Sequence, residues 1–160
     1  MQHCILCQSN KTALYYQDHN RRYCNCNTCG CVFIPHEALP GAKEEKERYL
    51  SHQNDVENSG FQKFVSPMVN AIKGNHTTKD KGLDFGAGTG PVVSKLLEDF
   101  NYKMVLYDPF FHPNKDSLNN SYDFIVCCEV IEHLHNPLNL KNLSLAYLIY
   151  EQNLILFLLH

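Results

Sequence analysis

Four cysteines stand in two Cys-x-x-Cys pairs, Cys4 with Cys7 and Cys26 with Cys29, separated by eighteen residues. That spacing falls in the range of a four-thiolate zinc site, where each pair forms a knuckle offering two thiolates to one tetrahedral ion. Gly30, directly after Cys29, suits the tight backbone of such a knuckle. Cys24 and Cys31 flank the second pair and either could replace a neighbour, but spacing favours the other four. Six of the eight cysteines precede residue 32 and no basic segment leads into a long apolar run at the start, so the expected compartment is reducing and cytoplasmic. Metal-free reduced thiols are the plainer alternative, disfavoured because so small a segment has almost no other source of stability.

The stretch GLDFGAGTGP, residues 82–91, places glycine at 86, 88 and 90. Giving up side chains there implies a backbone that something must approach closely, at dihedrals only glycine tolerates. Asp108 follows Gly88 by twenty residues and ends the next apolar run, where a carboxylate can accept hydrogen bonds from ribose hydroxyls. Glycines and Asp108 together point to an adenosine-containing cofactor. A nicotinamide dinucleotide fits poorly, because Pro91 stands where the third glycine of G-x-G-x-x-G belongs.

In CEVIEHLHNP, Glu129, Glu132 and His133 fall at i, i+3 and i+4, one face of a helix. Two carboxylates and an imidazole could bind Mg²⁺ or Mn²⁺, with Zn²⁺ a further choice. A metal there would lower the pKa of an acceptor hydroxyl, whereas without one His133 could act as general base. The simpler alternative is a helix start whose glutamates favour the positive end of the dipole.

The elements that must position these residues follow from the pattern. Residues 1–36 hold the cysteines, two tyrosine-rich stretches and the strand-like CVFI, and form the expected zinc ribbon. Residues 37–80 form an expected helical connector: Lys43 with Glu47 and Glu44 with Arg48 are spaced as helix pairs, and Phe61, Phe64, Val65, Met68, Val69 and Ile72 keep helical period around an interrupting Pro67. From residue 81 the rhythm is α/β: GLDF a buried strand, Pro91 to Phe100 a helix, YKMVLYD and YDFIVCCE strands, LNLKNLSLAYLIY a helix and NLILFLL a last strand. Such alternation implies a parallel sheet with helices on both faces. A net charge of −3 argues against a nucleic-acid footprint, and Glu151, Gln152 and Asn153 interrupt the longest apolar stretch, which argues against a membrane span.

LDFGAGTG, LYDP and YDFIVCCEVIEHL in this order resemble class I S-adenosylmethionine-dependent methyltransferases, over residues 81 to about 137. The ribbon, EKERYLSHQND, DPFF and EVIEHL are similar to a ribbon-bearing subgroup. The resemblance implies a Rossmann-like domain over 81–160, with Asp84, Gly86, Ala87, Gly88 and Gly90 lining S-adenosylmethionine, Asp108 on its ribose and Glu129 bordering the transferring methyl. A similar Glu-x-x-Glu-His appears in polyprenyl-phenol O-methyltransferases and in 2'-hydroxyl methyltransferases of small-RNA ends, which implies methyl transfer to an oxygen of a small-molecule acceptor. The chain departs from the family in two places. Thirteen residues between Asp108 and Tyr122 leave no room for the usual next helix and strand, and the family's last strands have no counterpart after NLILFLL. Leu154 to Leu159 are therefore expected to form an exposed apolar edge that self-associates, in a fragment or altered reading of a longer protein. The competing expectation is a ribbon adaptor that binds the cofactor without catalysis.

Overall fold

The computed structural model describes residues 2–51, 55–130, 133–137 and 154–157. The cysteine-rich segment is a three-stranded antiparallel sheet in the order β1-β2-β3, with β1 at Thr12–Gln17, β2 at Arg22–Cys26 and β3 at Val32–Phe33. Its core is small: Cys4, Cys24, Cys26 and Phe33 are buried, with Ile5 and Cys31 against them. β1 leaves Leu14, Tyr15 and Tyr16 exposed, so apolar burial alone gives this unit little stability.

Two helices follow, α1 at Ala42–Ser51 and α2 at Ser59–Asn75. In α1 the Lys43–Glu47 pair forms at 3.9 Å, with both side chains well exposed, so it adds little to stability. α2 starts at Asn58, whose side chain accepts from the Phe61 N–H, and buries Val65, Met68, Val69 and Ile72. Pro67 does not interrupt it. Proline cannot donate to the Lys63 carbonyl four residues back, and the Ser66 hydroxyl donates to that carbonyl instead, at 2.7 Å.

The α/β unit is a parallel sheet in the order β5-β4-β6-β7, with β4 at Lys81–Phe85, β5 at Lys103–Tyr107, β6 at Phe124–Cys128 and β7 at Leu154–Phe157. Helix α3, Val92–Asp99, connects β4 to β5 and begins just after Pro91. Strand alternation sorts β6 between two cores: Phe124 and Val126 face α2 and α3, whereas Ile125 and Cys127 join Leu83, Phe85 and Tyr107 on the opposite face. That second face is covered by Leu118, Tyr122, Val130 and Leu134. Between Asp108 and Tyr122 the chain forms a short 3₁₀ turn at Lys115–Asn119 and no strand. The helix expected at 138–150 and the side chains of the 154–159 edge lie outside the described residues. Among the described residues no helix is long and apolar enough to cross a membrane.

Candidate functional site

The two cysteine pairs meet. The Sγ atoms of Cys4, Cys7, Cys26 and Cys29 all lie within 4.8 Å of one another, with Cys4–Cys29 and Cys7–Cys26 each at 3.6 Å. Thiolates around a tetrahedral zinc stand about 3.8 Å apart, given a Zn–S bond of about 2.3 Å, so the cage has the right size. The two knuckles share one backbone pattern. Cys4 N–H donates to Ser9 and Gln8 N–H to Cys4, as Cys26 N–H donates to Cys31 and Gly30 N–H to Cys26. Each pattern requires a left-handed residue after the second cysteine, Gln8 at φ 60° and Gly30 at φ 76°. Cys24 and Cys31 stay outside the cage: Cys24 belongs to the ribbon core and the Cys31 thiol points to the Val32 carbonyl.

The thiols of the cage do not ionise alike. Burial pushes the Cys26 thiol up, but N–H groups of Cys29 and Thr28 outweigh it and bring it down to about 6. The Ser9 N–H lowers Cys7, yet burial and the neighbouring thiols push it up to about 12. The Cys26 thiolate forms readily while Cys7 and Cys29 resist ionising beside it, a conflict that a divalent ion would remove.

The glycine loop leaves β4 at the sheet's switch point, where the chain goes first to β5 on one side and then to β6 on the other. Its first N–H groups serve the protein itself: Gly86 and Ala87 donate to the Tyr107 carbonyl at 2.8 and 3.1 Å, and Gly88 to Asp108 Oδ2 at 3.1 Å. What approaches Gly86 is Val130, since a Cβ there would lie 2.3 Å from its methyl at φ 81°. At Gly88, by contrast, a Cβ would meet nothing within 4 Å. The loop thus packs at its first glycine and faces open space at its second. Gly90 is buried, and its carbonyl accepts from Val92 at the start of α3.

Asp84 is buried and its Oδ2 accepts from the Ser94 hydroxyl at 2.7 Å, tying β4 to α3 across the loop. Burial pushes its carboxyl up to about 6. Ser94, itself buried, has no sequence signal of its own. Asp108 is buried too, with Oδ1 accepting from the N–H groups of Phe110 and Phe111 at 2.8 and 3.0 Å. With Gly88 this fills three of roughly four acceptor positions on the carboxylate.

Glu129 ends β6 in a left-handed conformation, φ 54°, which is not the first turn of a helix. Glu129 itself is thus not in a helical turn, and Glu132, with the rest of the expected face before His133, lies outside the described residues. Glu129 Oε1 is buried without a hydrogen-bond partner among the described residues. The half-buried His133 ring meets the Tyr49 ring edge-on at 5.6 Å, and Tyr49 also lies 6.3 Å from Phe110. Helix α1, through Tyr49, thus touches both loops that leave the carboxyl ends of β5 and β6. Among the described residues only the four cysteines gather as a candidate metal site.

One cavity of about 570 Å³ lies away from the glycine loop, between the ribbon and residues 135–136. Sequence spacing gave no sign of it.

The strand order, glycine loop and Asp108 agree with a comparison to known families. A family model described as a methyltransferase domain matches residues 50–148, well over half of the chain. The chain belongs to the class I S-adenosylmethionine-dependent methyltransferase family. The ribbon precedes the matched region. No curated protein and no solved structure matches the chain.

Proposed function

We propose that this methyltransferase-family chain binds S-adenosylmethionine at the carboxyl ends of β4, β5 and β6 and transfers its methyl group to an oxygen of a small-molecule acceptor, with one structural zinc in the ribbon. The observation that carries the reading is the Oε1 of Glu129, buried directly after the carboxyl end of β6 and without a hydrogen-bond partner among the described residues. A buried carboxylate oxygen without a donor is costly, and a bound ligand with a donor group relieves it. Gly88 supports the same reading, because its side is open where the first glycine of the loop is filled by Val130.

When bound, the cofactor supplies a sulfonium-activated methyl group. The chain's own part is positioning and proton removal. Asp108 holds the loop through Gly88 and keeps one acceptor position for a ribose hydroxyl. His133, steadied by Tyr49, takes the acceptor's hydroxyl proton as general base, and fixing the reactants in line supplies most of the acceleration. A divalent ion on Glu129, Glu132 and His133 is the other route to the same deprotonation.

Turnover with methyl-labelled S-adenosylmethionine and a panel of hydroxylated acceptors tests this. His133→Gln should cut transfer by about 10²-fold or more, the usual contribution of a general base. Label transfer lost on removal of added Mg²⁺ or Mn²⁺ and restored by it, with the ribbon zinc retained, would give the deprotonation to the metal route. No transfer to any oxygen acceptor, with the cofactor bound, would remove the oxygen assignment.

A further inference from the structure

We propose that the cavity between the ribbon and the segment after β6 is the acceptor's recognition site, and that the acceptor is a small polar anion carrying a carboxylate or phosphate. This rests on the methyltransferase reading above. At about 570 Å³ the cavity has the size of a small-molecule site. Its walls come from both units, with Gln2, His3, Arg22 and His36 from the ribbon, Glu37 from the connector and His135 from the segment after β6.

The lining decides the ligand's chemistry. Ile5 is its one aliphatic side chain, and the rest are amides, imidazoles, a guanidinium and a carboxylate. An aryl or lipid acceptor would strip water from these groups without replacing its hydrogen bonds, an unfavourable exchange at each of them. The one acid, Glu37, is already engaged, its Oε2 accepting from Gln2 Nε2 at 2.8 Å. After the Glu37 N–H and Gln2, the Arg22 charge helps hold the Glu37 carboxyl below its ordinary range, and its guanidinium, with no hydrogen bond to another described residue, keeps a planar fork of N–H donors that matches a carboxylate or phosphate edge. His36 and His135 meet edge-on at 5.7 Å and offer further ring N–H donors.

The cavity also lies within reach of the proposed chemistry. His135 follows His133 by two residues, a chain distance of at most about 7 Å. Helix α1 touches both places: Glu45 lies 3.9 Å from His135, and the Tyr49 hydroxyl donates to Glu45 at 3.5 Å while the Tyr49 ring packs on His133. In this proposal an acceptor anchored by its anionic group in the cavity presents a hydroxyl toward His133, two residues from the lining His135.

The test is an NMR titration of the imidazole resonances of the zinc-loaded full chain with inorganic phosphate, with malonate and with phenol, alongside calorimetry with S-adenosylhomocysteine. Saturable shifts of the His36 and His135 signals by phosphate or by malonate are expected, and the anion that saturates at lower concentration names the group. Arg22→Gln should weaken that binding at least tenfold, and His135→Gln, on the opposite wall, severalfold, both with zinc content unchanged. No saturation by either anion, equal saturation in both variants, or saturation by phenol alone would overturn the proposal. Anion binding in a chain that does not bind S-adenosylhomocysteine would remove the methyltransferase reading of the crevice while leaving the anion site in place.

Discussion

The ribbon cage and the glycine-loop crevice are built by opposite means. In the cage the ligand atoms belong to side chains, and the backbone serves only to fold each knuckle around its pair of cysteines. In the crevice the backbone is itself the structure: three consecutive N–H groups of the loop are bound to Tyr107 and Asp108, and a carboxylate that sequence assigns to a ligand also holds the loop. Side-chain ligands at fixed spacing can be read along the chain. A crevice shaped by backbone contacts between distant strand ends cannot be read to the same depth.

The largest effect should come from the cage. Zinc binding and folding are one free energy in such small sites, on the order of 10–16 kcal/mol in isolated zinc-binding peptides. Elemental analysis should find one zinc per chain, and chelation should erase the ribbon's NMR signals while those of β4 to β6 persist. Loss of both sets together would mean the two units do not fold apart. A second effect separates the two glycines. Gly86→Ala combines a left-handed backbone with a clash against Val130 and should cost about 2–5 kcal/mol of stability. Val130→Ala should recover part of that in a double-mutant cycle. Gly88→Ala should cost only about 1 kcal/mol of stability, from its φ of 62°, yet weaken S-adenosylhomocysteine binding at least tenfold.

Asp84 gives a smaller, pH-dependent effect. Burial holds its folded pKa near 6, against about 3.9 unfolded, so the folded state binds more protons between these values. Stability should therefore fall as pH rises from about 4 to about 6 and stay lower above. Asp84→Asn removes this loss and should be more stable than the parent by about 1–3 kcal/mol at pH 7.5, with the advantage vanishing near pH 4. Urea denaturation at both pH values checks it, and the difference between the two proteins cancels any acid sensitivity of the zinc site. The smallest effect compares the knuckles. Gln8→Gly should stabilise the zinc-loaded ribbon by about 1 kcal/mol, and Gly30→Ala should destabilise it by a similar amount, read as shifts in melting temperature.

These pairs show where sequence reading succeeds and stops. The four zinc-spaced cysteines, the strands and α3 were legible because spacing and hydrophobic period are local. Gln8 was not, since glutamine carries no turn signal and only its likeness to Gly30 in the folded knuckle explains it. Pro67 seemed to interrupt a helix that the Ser66 hydroxyl keeps intact. The close approach implied at Gly86 is made, on the side where a Cβ would stand, by Val130, forty-four residues later. The left-handed turn of Glu129 after β6 is likewise something no periodicity reports. The cavity draws on residues 2, 3, 5, 8, 22, 36, 37, 135 and 136, a set that only tertiary packing assembles.

The central claim is that the open side of the loop at Gly88, with Asp108 and Glu129, is an S-adenosylmethionine site. Calorimetric titration of the zinc-loaded chain with S-adenosylhomocysteine, and separately with NADH, tests it most directly. One S-adenosylhomocysteine per chain with no heat from NADH, and affinity reduced at least tenfold by Glu129→Gln in a protein of unchanged melting temperature, is the predicted result. A folded, zinc-loaded chain that binds NADH, or that binds S-adenosylhomocysteine equally well after Glu129→Gln and Gly88→Ala, would contradict it.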